Sequence, residues 1–328
     1  MLLLLDGETL EDLALLDASR PGLVIELARK FADQRVGAIP VTDKFGALIG
    51  IVSYVDALRE AHVIVEPEER AQRMTEALSQ AATALGGTLI EDAFLIGENL
   101  SLVEEPHVIA GEYSPEFLEL PERVILEVAR GHQRYFGVRG PDGRLLPRYL
   151  AVVNTANDEP RIRKGNDRVM RARLADAQFF YREDMRAPLA SRREKLAGIV
   201  FQKRLGTVLA KAVRIERLAR ELGLLLMLPE ATIMAAASGA HLAKCDLVSL
   251  MVGEFPELEG EMGAAYALAQ GASPEVASVI REHYQPKGAG DATAPSNAGA
   301  LVAMADRLDT LVGCFAVGLS PTGAADPY

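Results

Sequence analysis

The chain has no tryptophan, only two cysteines and five histidines, and just 5% aromatic residues in 328. Cys245 and Cys314 make no disulfide framework and no paired thiolate site, so nothing points to an oxidising compartment. His62, His107, His132, His241 and His283 form no H-x-x-x-H or H-E-x-x-H pair, which removes the usual sequence-local metal site. There is no G-x-S-x-G elbow and no Walker loop, and the glycines of "GVRGPDG" belong to a hairpin turn. No apolar run approaches the roughly 18 residues that a membrane span needs. The opening "MLLLL" meets Asp6 at once and lacks the cationic start and apolar length of a signal peptide. These absences predict a cytoplasmic protein, away from membranes, with no catalytic residue set of its own and no metal.

What is present is ordinary globular composition with one anomaly. Apolar residues make up 49% and charged residues 25%, and the length suits two or three domains. With 46 acids against 35 bases the net charge is −11, which argues against broad, non-specific nucleic-acid binding. Yet "RIRKGNDRVMRAR" at 161–173 carries six cations and one acid, Asp167, a local charge of +5. Cations in a first helical turn oppose the helix dipole at a cost of about 0.3–1 kcal/mol each, so such a cluster favours an anionic partner. Phosphate backbones are the commonest one. The next long helix adds Lys211, Arg214, Arg217 and Arg220, read as its polar side. The competing reading is a solvated face, or arginines paired internally with Asp176 or Asp184.

Periodicity sets the fold class as α+β. "GLVIELARKFADQR", "VGAIPVTD", "ALIGIVS" and "YVDALRE" read as helix, strand, strand, helix within residues 1–60. Residues 65–86 form a polar amphipathic helix. "SLVEEPHVIAGEY" reads as strand, "PERVILEVARG" as a helix opened by proline, and "RYFGVRGPDGRLLPRYLAVVN" as a hairpin turning at Pro141-Asp142-Gly143. From Gly165 the chain reads as helical. One stripe holds Leu205, Val208, Leu209, Ala212, Ile215, Ala219 and Leu222, and alanine-rich helices follow over 230–252, 261–270, 274–284 and 299–316. Boundaries are expected near 61 and 161. In "NDRVMRARLADAQFF" the core side is predicted as Val169, Ala172, Ala177 and Phe180, leaving Arg168 and Arg171 outward.

Three resemblances follow from the motifs. "PVTDKFGALIGIVSYVD" resembles a single cystathionine-beta-synthase (CBS) motif, in which Ser53 and Asp56 would hold an adenosine nucleotide. The helical second half invites comparison with HD phosphohydrolases, but the His-Asp dipeptide of their metal site is absent, and "HLAKCD", from His241 to Asp246, comes nearest. The third is far more specific. "GHQRYFGVRGPDGRLLPRYLAVVN", "GNDRVMRARLADAQFFYREDM", "LAGIVFQKRLGT", "KCDLVSLMVGEFPELEGEMGAAYA", "EHYQP", "ADRLDTLVGCFAVG" and "PTGAADPY" occur in this order and resemble the beta subunit of bacterial-type heterotetrameric glycyl-tRNA synthetase, from about residue 55 onward.

That resemblance implies a non-catalytic, tRNA-binding subunit of glycine–tRNA ligase, working with an alpha subunit that activates glycine with ATP and magnesium; no cofactor is implied in this chain. Its partners would be the alpha subunit, tRNA(Gly) and a second beta subunit. It implies a B3/B4-like module over 61–160 and a degenerate HD-like helical domain over 161–328, with the family's anticodon-binding region absent. Residues carried to tRNA are Arg163, Lys164, Arg168, Arg171, Arg173, Lys211 and Arg214. Those carried as structural are His132, Gln133, Tyr135, Phe136, Asn166, Asp176, Asp246, Glu254, Asp306 and Asp309. Within the motifs, Glu259 stands where the family has an amide and Arg307 where it has lysine. An HD-type metal phosphohydrolase and a CBS-type sensor of adenosine nucleotides are the alternatives.

Overall fold

A computed structural model describes residues 63–154 and 157–319, the His132 side chain excepted, together with the backbone of 38–42 and 48–53. The chain divides into two compact units. One comprises Met1–Ser114 with Ala129–Met170, the other Pro115–Val128 with Arg171–Tyr328.

In the first unit, β1 (Ala38–Thr42) and β2 (Leu48–Ser53) pair antiparallel. Ser53 ends β2, while Asp56 and both helices of the CBS-like reading lie outside the described residues. A second, fully antiparallel sheet has the order β3 (Thr88–Leu89), β5 (Phe136–Arg139), β6 (Leu145–Val153), β4 (His107–Glu112). The β5–β6 hairpin turns at Pro141-Asp142-Gly143 as read. Gly143 takes φ +78°, a left-handed angle that glycine adopts without strain, and Asp142 accepts from the Arg144 amide at 3.0 Å.

Helix α1 (Pro67–Ala84) opens with proline and two acids and buries Met74, Leu78 and Ala82, one residue per turn. It packs on β3, β4 and β6. Together with Leu95 of α2 (Ala93–Leu100), Phe136, Val138 and Leu150 these side chains form the core of the unit. Helix α3 (Glu122–Gln133) ends at Arg134, whose φ of +56° turns the chain into β5. Buried Asn99 secures that corner by donating to the Arg134 carbonyl at 3.1 Å.

The second unit is helical. Among the described residues its strands are β7 (Val200–Gln202) and β8 (Gly206–Thr207), a small hairpin that sequence periodicity did not predict. Thr207 caps α5 (Val208–Leu225), which buries Val208, Ala212, Ile215 and Ala219. Ile215 and Ala219 meet Ala236 and Ala240 of α6 (Glu230–Leu242), Val279 of α9 (Pro274–Glu282), and Leu301, Val302 and Ala305 of α10 (Asn297–Ala316). Small residues let these helices approach closely. A Cβ at Gly239 would lie 2.3 Å from Val279.

The helix expected over 230–252 is a correction: it stops at Leu242. Lys244 takes φ +66°, Cys245–Val248 forms a 3-10 turn, and a short helix α7 follows at Leu250–Glu254. The reason is Asp246, whose carboxylate turns to the start of α8 (Glu261–Ala269) and accepts from the amides of Gly260 at 2.7 Å and Gly263 at 3.0 Å.

Candidate nucleic-acid interface

The basic run lies on α4 (Glu159–Met185). Asp158 offsets the dipole cost of its cations by accepting from the Arg161 amide at the helix start. The inward line is Met170, Leu174 and Ala177, at i, i+4 and i+7, all fully buried. This corrects the predicted core side, since Val169 and Ala172 are exposed and Phe180 half-buried; Ala177 alone keeps its place.

Asp167, the only acid of the run, fixes this rotation. Its Oδ1 accepts the Tyr149 hydroxyl at 2.8 Å and the Glu112 amide at 3.0 Å. Tyr149 also stacks on Tyr135, with ring centroids 4.5 Å apart. Burial first, then the bond to Asp167, pushes the Tyr149 phenol far above its ordinary range; burial and the charge of Asp167 push Tyr135 up to about 12. Gly111 makes room, because a Cβ there would sit 2.0 Å from the Tyr149 ring. Phe136 is buried in the core, so Tyr135 and Phe136 are both interior.

With Asp167 inward, Arg161, Lys164, Arg168 and Arg171 follow one another along an outward stripe, spaced by three and four residues. All four are exposed, and among the described residues none makes an ion pair or side-chain hydrogen bond. Arg173 is half-buried and also lacks one, while Arg163 pairs with Glu159 along the helix. The internal braces weighed for the arginines are absent among the described residues. Asp176 is exposed, and buried Asp184 serves Arg192, Tyr266 and the amides of Leu250 and Met251.

Lys211 and Arg214 occupy a different place, and the reading of Lys211 on a polar face is corrected. Lys211 is 3% exposed. Its Nζ lies 2.7 Å from Asp306 and 3.3 Å from Asp309, and donates to Thr310. Arg214 is half-buried and binds Asp309, and Lys244 meets Asp306 at 2.7 Å. Burial alone would raise Asp306, but Lys244 and Lys211 outweigh it and hold its carboxyl down to about 2. His283 donates from Nδ1 to the Ile280 carbonyl and turns Nε2 toward Lys244. Burial, then the Lys244 charge, pushes it down to about 3. Arg217 and Arg220 face acids of their own helix, Glu221 and Glu216. Sequence reading missed this cluster because Lys211 and Arg214 lie 95 to 98 residues before the acids they meet.

The remaining family-motif positions scatter. Asp246 is wholly buried, Gln133 and Asn166 are half-buried, and Glu254 is exposed. The side chain of His132 lies outside the described residues. Among the described residues no three His, Cys, Asp or Glu are placed to hold a metal, and no helix is long and apolar enough to cross a membrane.

Residues 37–328 match the glycyl-tRNA synthetase beta subunit family. That match takes in the β1–β2 hairpin. The chain is 48% identical over 277 residues to the glycine–tRNA ligase beta subunit of Moorella thermoacetica, covering 84% of this chain and 40% of that protein. It is 45% identical over 276 residues to the same subunit of Geobacter sulfurreducens (84% and 40%). To that of Phenylobacterium zucineum it is 46% identical over 278 residues (84% and 42%). The chain thus spans about two fifths of the length of these curated relatives.

Proposed function

We propose a function from one premise: the chain belongs to the glycyl-tRNA synthetase beta subunit family. It serves as a tRNA-binding, non-catalytic part of glycine–tRNA ligase, supporting the ATP-dependent glycylation performed with an alpha subunit. The observation that carries this reading is the α4 stripe. An acidic protein of net charge −11 holds Arg161, Lys164, Arg168 and Arg171 outward, and none has a partner among the described residues. Four unneutralised cations at helical spacing fit the phosphates of a folded RNA, which they would contact without reading bases. On this reading the sheet unit corresponds to a B3/B4-like acceptor-side module and the helical unit to a degenerate HD-like domain. The family match does not favour the phosphohydrolase or nucleotide-sensing alternatives.

The test is fluorescence anisotropy of labelled tRNA(Gly) against salt, for the wild type and the double variant Arg168→Ala/Arg171→Ala. The variant should bind at least about tenfold more weakly and lose about 0.7–0.9 units of salt slope per contact removed. Its far-ultraviolet circular dichroism should stay unchanged, since alanine is a strong helix former. Wild-type binding that ignores salt, or a variant that binds as tightly as wild type, refutes the reading.

A further inference from the structure

Helix α4 carries one exposed aromatic ring on its basic face. Phe179 is 58% exposed and stands eleven residues after Arg168, three turns and about 20° further round the helix. The outward line therefore runs Arg161, Lys164, Arg168 and Arg171, then exposed Ala175, then the Phe179 ring. About 12 Å of helix separates Arg171 from Phe179, a span that a few nucleotides bridge. An exposed phenylalanine by itself means little, and two others show the contrast. Phe94, 62% exposed, already lies under the Arg130 guanidinium at 4.8 Å. Phe315, 56% exposed, sits on α10, whose one cation, Arg307, donates to backbone carbonyls. Phe179 meets Phe180 at a 63° tilt, which leaves the faces of its ring unstacked.

Charge changes at this end of the helix. Arg182, the next cation along the face, is held by Glu119 at 2.7 Å. Asp176 is exposed one turn before the ring, and Glu183, one turn after it, pairs with Arg186. A phosphate is repelled there, whereas a nucleobase is neutral and has a π face that matches a phenyl ring. Proteins that hold single strands combine a cationic track for the backbone with aromatic rings on which bases stack. A base inside a duplex has no open face, so the base at Phe179 must be unpaired.

We infer that Phe179 is the stacking platform for an unpaired base of the RNA whose phosphates follow Arg161 to Arg171. The bound RNA passes from a backbone-tracked part to an unpaired segment, a 3′ tail or a loop, at the Phe179 end of the stripe. Stacking supplies affinity there without choosing among bases, since every base has a π face. This role rests on the RNA-binding reading of the stripe.

The chain has no tryptophan, so Phe179→Trp installs a single fluorescent reporter at the platform. On adding tRNA(Gly) its emission should be quenched as a base stacks on the indole, with affinity at least that of wild type. Phe179→Leu keeps apolar bulk but has no π face. It should bind tRNA(Gly) roughly five- to 150-fold more weakly, with the salt slope unchanged because no phosphate contact is lost. Both variants should melt within a few degrees of wild type, as exposed positions do. A blunt, fully paired RNA duplex should bind wild type and Phe179→Leu alike and leave the reporter unquenched. Duplexes ending in a 3′ tail, or closing in a loop, show which unpaired segment stacks, and wild type should prefer that one over the blunt duplex. Quenching by the blunt duplex or by neither of the others, or Phe179→Leu binding tRNA(Gly) as tightly as wild type, overturns the platform. Salt-dependent wild-type binding would still leave the phosphate contacts standing. Quenching by a glycyl-tRNA synthetase alpha subunit without RNA also overturns it, and assigns the ring to a protein contact. A wild type that does not bind tRNA(Gly) overturns platform and stripe together.

Discussion

The Tyr149 hydroxyl and the Glu112 amide converge on one oxygen of Asp167, at 2.8 and 3.0 Å. The single acid of a +5 segment is thereby held by the sheet, and among the described residues it makes no ion pair with the outward cations. Tyr149→Phe keeps the ring but removes one of these donors. It should cost about 1–3 kcal/mol in urea unfolding, with a smaller loss of tRNA affinity than Arg168→Ala/Arg171→Ala. An unfolding curve identical to wild type would mean that the phenol contributes nothing.

Lys211→Ala should behave oppositely to the stripe variants. It leaves Asp306 and Asp309 short of a buried counter-ion, a change that costs about 3–5 kcal/mol. The salt slope of RNA binding should not move, since Lys211 is buried and cannot reach a phosphate. A variant of normal stability and reduced slope would return Lys211 to the interface.

Acid should unfold the helical unit in two stages. His283 has its folded pKa depressed to about 3, so below its ordinary value near 6.5 the unfolded chain binds a proton that the folded one does not. Stability should therefore fall as pH drops from about 6.5 toward 3, by up to about 1.4 kcal/mol per unit. Asp306, held down to about 2, adds a second loss once pH passes below its ordinary value of 3.8. His283→Gln should flatten the first stage alone in a series of melts from pH 7 to 4.

Arg307 donates to the carbonyls of His283, Ala303, Tyr284 and Pro286 at 3.3, 3.1, 3.2 and 2.6 Å. A guanidinium spreads these bonds over two nitrogens, while an ammonium has one nitrogen and three protons. Arg307→Lys, which restores the residue implied by the family resemblance, should lower stability by about 1–2 kcal/mol in a thermal melt. Equal melting temperatures would show that the fourth carbonyl needs no donor.

Much of the fold was legible because period and punctuation agree: Pro67, the Pro141-Asp142-Gly143 turn and the Ile215–Ala219 stripe all mark their elements. Rotations and partners were less legible. Val169 with Ala172, and Met170 with Leu174, both have helical spacing, and it takes Tyr149, distant in sequence, to choose between them. Arg168 and Arg171 are outward as expected even though the core side differs, since the rotation that buries Met170 also leaves both exposed. Lys211 misread because its neighbours Arg214 and Arg217 suggest a wet face, while the acids that bury it belong to α10.

The Asp246 carboxylate reaches 14 and 17 residues along the chain to the Gly260 and Gly263 amides, and no part of Asp246 is open to solvent. Neither glycine admits a side chain: a Cβ would come within 2.8 Å of Tyr284 at one and 2.7 Å of Ile280 at the other. Two protons held by one sealed carboxylate cannot trade with deuterium separately. Their lifetimes should lengthen or shorten together and count how often this corner of the helical unit opens. An RNA that only rests on α4 would leave that clock unchanged, whereas a partner that works the helices apart would speed both hands at once.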